Sequence, residues 1–108
     1  MNAKNHYEVV FTSGTTGSIN ALAFMLGELR VGEGDEIIVS CMEHHANIVP
    51  WQMLCERKNA RLKVIPISDD GELMVDEFAR LITDRTKIIS LIHVSNVLGT
   101  LTRLIILL

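Results

Sequence analysis

A chain of 108 residues, 48% hydrophobic and 21% charged, is long enough for one small domain and too apolar to stay disordered. A formal net charge of -3, with no basic stripe interleaved with aromatics, argues against DNA or RNA as a partner. Cys41 and Cys55 make neither a disulfide framework nor a zinc pattern, the opening MNAKNHYEVV lacks a secretory apolar core, and no apolar run reaches the ~18 residues of a membrane span. A reducing cytoplasmic setting away from membranes is therefore the expectation.

Glu8 to Thr12 (EVVFT) is a short β-rich run closed by Ser13-Gly14 and predicts a first strand. Residues 15 to 29 place Ile19, Leu22, Ala23, Leu26 and Leu29 at helical spacing, with Thr15 or Thr16 positioned to cap the helix. After the turn-rich RVGEGD, Glu36 to Ser40 (EIIVS) predicts a second strand. Cys41 to Asn47 is irregular, and Pro50 suits the first turn of a helix ending near Asn59. Arg61 to Pro66 predicts a third strand, Ser68 to Leu73 a turn, and Val75 to Ile82 a short helix with Val75, Phe78, Ala79 and Ile82 on one face. Lys87 to His93 predicts a fourth strand, followed by the loop Ser95 to Thr100.

This alternation is α/β and predicts a mainly parallel sheet covered by helices. The runs Ile37-Ile38-Val39 and Ile88-Ile89 are apolar enough for strands buried on both faces. Three polar clusters follow strands: Ser13 to Gly17, the pair His44-His45, and Asn96. In open α/β sheets ligands bind beyond the carboxyl ends of the strands.

Ser13-Gly14-Thr15-Thr16-Gly17, between a predicted strand and a helix, reads either as a phosphate cradle or as a helix cap with a glycine turn. No Lys follows the last Gly, so it is not a Walker A loop. FTSGTTG resembles the phosphate loop of adenylate-forming enzymes, but Ser18-Ile19-Asn20 stands where a Pro-Lys pair follows there. In Glu43-His44-His45-Ala46-Asn47 a histidine is suited to stacking on a flat ring, to binding a metal or to holding the loop. The spacing is poor for metal, because adjacent histidines point apart and no third ligand is near in sequence. Cys41 beside a buried strand and Cys55 within a helix read as packing residues.

Three stretches together resemble the Suf-type (group II) cysteine desulfurases and selenocysteine lyases of the class-V aminotransferase family. They are Gly14-Thr15-Thr16 before Ser18-Ile19-Asn20, Met42 to Gln52 (MEHHANIVPWQ), and His93 to Thr100 (HVSNVLGT). The resemblance covers roughly residues 7 to 100 and implies part of the fold-type-I large domain that binds pyridoxal 5'-phosphate (PLP). It implies that Thr15 and Thr16 hold the cofactor phosphate, that His44 stacks on the pyridine ring, and that Asn96 lies beside the ring hydroxyl. It also implies a full-length homodimer that takes L-cysteine or L-selenocysteine, leaves a persulfide on its own cysteine and passes sulfur to an acceptor for iron–sulfur cluster assembly.

Two departures stand out. Gly17 replaces a usual Glu near the family's dimer contact, and residues 101–108 (LTRLIILL) form a divergent apolar tail after residues 1–100, which read as the partial PLP-binding large domain. The family's Asp for the pyridinium, Schiff-base Lys and sulfur-accepting Cys all lie beyond the equivalent of Thr100. The chain thus reads as a fragment with no catalytic residue of its own, inactive alone, or as a non-catalytic remnant of a truncated or frameshifted gene. An adenylate-forming module is the third reading.

Overall fold

The computed structural model describes residues 2–102. Helix α1 spans Thr15–Arg30, strand β1 Glu36–Ser40, helix α2 Val49–Lys58, strand β2 Arg61–Ile65, helix α3 Val75–Leu81 and strand β3 Thr86–Ser90. The strands form one parallel sheet in the order β2-β1-β3, with Glu36 opposite both Arg61 and Thr86. Parallel neighbours need a crossover, and α2 and α3 supply it. The α/β reading of the sequence holds.

β1 lies between the other two strands and is buried at all five positions. Its alternate side chains feed two cores. Ile37 and Val39 pack with Ala23 of α1, Val31, and Trp51, Leu54 and Cys55 of α2. Ile38 faces the other way and packs with Ile65 and Phe78 of α3. Helices therefore cover both faces, and the period of two along one apolar strand sorts residues between them.

The α1–α2 contact is close because α1 turns its small residues inward. Ala23 and Gly27 are buried, whereas Leu22, Leu26 and Leu29, expected inside from their spacing, are exposed. Pro50 sits in the first turn of α2, and Asn59 closes that helix in the left-handed conformation, with the Ala60 N–H returning to the Cys55 carbonyl at 2.9 Å. At the opposite end of the sheet from the polar clusters, the Glu36 carboxylate accepts from Lys63 Nζ at 2.7 Å and Thr83 Oγ1 at 2.6 Å, tying β1 to β2 and to the turn that leads into β3.

The expected first strand at Glu8 to Thr12 does not form. His6–Glu8 is a 3-10 turn, and Val10 and Phe11 lie exposed in irregular chain. Val and Phe favour strands through packing against a neighbouring strand, and no described strand lies beside them. β3 is shorter than expected, and its Ile89 is 44% exposed because among the described residues β3 has a partner on one side only. Of the apolar tail, Leu101 bridges Val94 and the Thr102 N–H bonds the His93 carbonyl at 2.8 Å. Residues 103–108 lie outside the described residues.

Candidate functional site

The carboxyl ends of β1 and β3 and the N-terminus of α1 meet around an open cavity of about 610 Å3. Thr15, Thr16, His44 and Asn96, the four residues singled out in the sequence, all line it. They come from three separate stretches of chain, and the parallel sheet brings them together.

At the α1 end, Gly14 is the cap residue, with φ 129° and ψ 177°, a conformation open to glycine alone. Neither Thr15 nor Thr16 caps the helix, contrary to expectation, because both already lie in its first turn. The loop is instead tied by Thr12 and Ser18. Their hydroxyls lie 2.6 Å apart, and Ser18 Oγ also donates to the Gly14 carbonyl at 3.1 Å. The N–H groups of Thr15, Thr16 and Gly17 precede any possible intrahelical acceptor and carry the positive end of the helix dipole. A Cβ at Gly17 would come within 2.8 Å of Ser13 Oγ, so the Ser13 hydroxyl occupies the space a side chain there would need.

At the end of β1, His44 has extended backbone (φ -68°, ψ 148°), and its Nδ1 accepts from the Ala46 N–H at 3.1 Å. That bond orients the ring and leaves Nε2 as the nitrogen able to carry the proton of a neutral imidazole. His45 stands edge-on to it, ring centroids 6.2 Å apart. After β3, Asn96 is exposed on a loop that folds around the buried Ser95. The Ser95 N–H bonds the Thr100 carbonyl, and its Oγ accepts from Leu98 N–H at 3.1 Å. Thr100 Oγ1 donates to the Gly71 carbonyl at 3.0 Å, fastening the loop to the turn before α3.

Beneath His44 runs a buried polar chain that the sequence reading did not single out. Glu43 Oε1 accepts from Ser40 Oγ at 2.5 Å and from the Ile92 N–H at 2.8 Å, while Oε2 accepts from Asn47 Nδ2 at 2.7 Å. Asn47 Oδ1 in turn accepts from the Trp51 indole N–H at 2.9 Å and Ser90 Oγ at 2.7 Å. Glu43 and Asn47 are both buried, and both line the cavity. Glu43, Asn47 and Trp51 recur at intervals of four in the sequence, but His44 between them is extended and α2 begins only at Val49, so no helix periodicity marked them as a set.

No lysine or cysteine among the described residues lines the cavity. Lys63 pairs with Glu36 at the far end of the sheet and Lys58 with Glu28 on α1. Cys41, expected to be packed, is exposed, because it follows the last residue of β1 where the chain leaves the sheet. Cys55 is buried, and desolvation pushes its thiol pKa up. Among the described residues no group of three His, Cys, Asp or Glu side chains is placed to hold a metal ion, and no helix is long and apolar enough to cross a membrane.

The aminotransferase class-V family model matches residues 1–106. A probable cysteine desulfurase of Staphylococcus epidermidis is 58% identical over 99 residues, covering 92% of this chain and 24% of that protein. Its Staphylococcus aureus counterpart is 57% identical with the same coverage. The solved structure of the cysteine desulfurase CsdA from Escherichia coli superposes with a TM-score of 0.90 at 42% identity, over 95% of this chain and 26% of that one. A cysteine desulfurase from Thermococcus onnurineus NA1 superposes at 0.81 with 34% identity, over 87% of this chain and 23% of that one. The chain thus spans about a quarter of the length of these relatives.

Proposed function

The chain belongs to the class-V aminotransferase family, and on that footing we propose that it is the phosphate-and-ring-binding segment of a PLP-dependent cysteine desulfurase. The single observation that carries this reading is the convergence of Thr15, Thr16, His44 and Asn96 on one cavity. The cavity suits a phosphorylated aromatic ring on three counts. Its volume of about 610 Å3 lies within the usual range for small-ligand sites. One wall is a helix N-terminus with free N–H groups and two hydroxyls, the chemistry of a phosphate site. Another wall is an imidazole held in place through its own Nδ1.

When bound, the cofactor supplies the electron sink that weakens bonds at the substrate α-carbon. In this reading the first turn of α1, with the Thr15 and Thr16 hydroxyls, holds the dianionic phosphate. His44 presents the face of its ring to the pyridine, and Asn96 donates from the loop after β3 to the ring hydroxyl oxygen. The segment contributes binding and orientation rather than nucleophile or base, in keeping with a cavity without lysine or cysteine among the described residues. L-cysteine, or L-selenocysteine, as substrate, L-alanine as product, homodimer assembly and delivery of sulfur to an acceptor protein are proposed for the whole protein.

The test uses Trp51, the one tryptophan of the chain, whose emission overlaps PLP absorption. PLP is expected to quench it saturably and reversibly, with pyridoxal at least about tenfold weaker, since it lacks the charge-assisted phosphate contacts. His44→Ala is expected to weaken PLP, and the chain alone to release no sulfide from L-cysteine. Saturable ATP binding without PLP binding would overturn the proposal in favour of an adenylate-binding loop.

A further inference from the structure

We propose that Glu43 is the positioning residue of this site, setting the direction of every hydrogen bond that fixes the His44 turn to the end of β3. The inference rests on the PLP reading given above and deepens it. Glu43 is 8% exposed and has no ion-pair partner among the described residues. A buried carboxylate without a counter-charge needs donors, and this one has three: Ser40 Oγ, the Ile92 N–H and Asn47 Nδ2. The Ile92 donor matters most, because a backbone N–H cannot be turned round. It joins the residue before His44 to the segment running from β3 towards Asn96.

An ionised carboxylate only accepts, so Asn47 must present its NH2 to Glu43 and its carbonyl oxygen to Trp51 and Ser90. The indole N–H only donates and is satisfied by that same choice. The network therefore has one consistent polarity, running from donors on α2, β3 and the loop after β3 inward to a single anion. It spans the turn that carries His44 and stops short of α1, where Thr15 and Thr16 sit. Loss of the Glu43 acceptor should loosen the ring end of the cavity and leave the phosphate end intact.

Glu43→Gln keeps the size of the side chain but introduces an NH2 that must face either the Asn47 NH2 or the Ile92 N–H, donor against donor. Asn47→Asp alone sets two carboxylates against each other. The pair Glu43→Gln/Asn47→Asp restores the pattern in reverse: the Gln NH2 donates to an Asp carboxylate that still accepts from Trp51 and Ser90. Formal charge is unchanged, and the anion moves by one place in the network.

The experiment is equilibrium dialysis of the full chain and these three variants against PLP and, separately, against inorganic phosphate. Glu43→Gln is expected to lose at least about tenfold in PLP affinity, the scale of one charge-assisted hydrogen bond, with phosphate affinity unchanged. The double variant is expected to return towards the parent chain. Parental PLP affinity in Glu43→Gln, parallel loss of both ligands, or a double variant no better than the single one would each overturn the inference. A parent chain that binds no PLP would instead bring down the reading it rests on.

Discussion

The contact between Gly27 and Leu54 sets the distance between α1 and α2. A methyl group at position 27 would lie 2.7 Å from Leu54 Cδ2, 3.1 Å from Leu54 Cγ and closer still to Leu54 Cδ1. Leu54 is 1% exposed and packed among Ile37, Val39 and Trp51, so it has no free space to swing into. Two effects oppose each other in Gly27→Ala. Alanine is the better helix former by about 1 kcal/mol, whereas overpacking a filled core costs about 1–3 kcal/mol. With backbone-attached carbon pressed against a fully buried side chain, the upper part of that range applies. The variant should be about 1–2 kcal/mol less stable, a fall in melting temperature of roughly 4–15 °C for a domain this size. Leu54→Ala alone should cost about 2–5 kcal/mol. In that background the same methyl enters vacated space, so Gly27→Ala should turn neutral or stabilising, with a coupling of about 1–3 kcal/mol. Urea melts of the four chains measure the cycle. A Gly27→Ala chain as stable as its parent, or additive effects, would show that the helices are not held apart by this contact.

The ion pair at the far end of the sheet predicts an acid response. The hydrogen bonds from Lys63 and Thr83 hold the Glu36 carboxyl below its ordinary value of 4.5. The unfolded chain therefore takes up that proton first. The stability Glu36 contributes is present above the ordinary value and is lost as pH falls through the depressed one. Glu36→Gln should flatten the acid limb of a stability–pH curve, and an unchanged limb would remove Glu36 from the account. The two cysteines should separate cleanly with a small alkylating reagent: Cys41 labels in the native chain, whereas Cys55, buried and with its thiol pKa raised, labels only on unfolding. Equal native rates, read by mass spectrometry, would contradict the burial of Cys55.

Much of the fold could be read from the chain, because β1 and its flanking helices obey local rules: an apolar run buried on both faces, Pro50 opening a helix, glycines between elements. Expectation failed where a partner decides the outcome. Val10 and Phe11 have strand-forming side chains and no described strand to lie against. The leucines of α1 mark a helical face, but the face turned inward is the one with Ala23 and Gly27, since small residues let two backbones approach. At the site, Thr15, Thr16, His44 and Asn96 stood out through the resemblance carried by their three stretches of chain; read locally, the glycine turn served equally as a helix cap and the histidines as loop residues. Glu43 and Asn47 did not, because a carboxylate in a loop looks solvated until the end of β3 is known to lie across it.

The positions of Thr15, Thr16, His44 and Asn96 also bear on the order in which the protein becomes competent. The two threonines belong to a helix whose first turn is a local structure. The ring end of the cavity, by contrast, exists only once β1 and β3, distant in sequence, lie side by side with Ile92 delivered to Glu43. Long-range parallel pairing is slow, since chain entropy is lost before the contacts repay it. If the proposed PLP site is right, affinity for a bare phosphate should thus precede affinity for the whole cofactor during folding, and a ligand that engages both ends favours the completed sheet over every partly folded form.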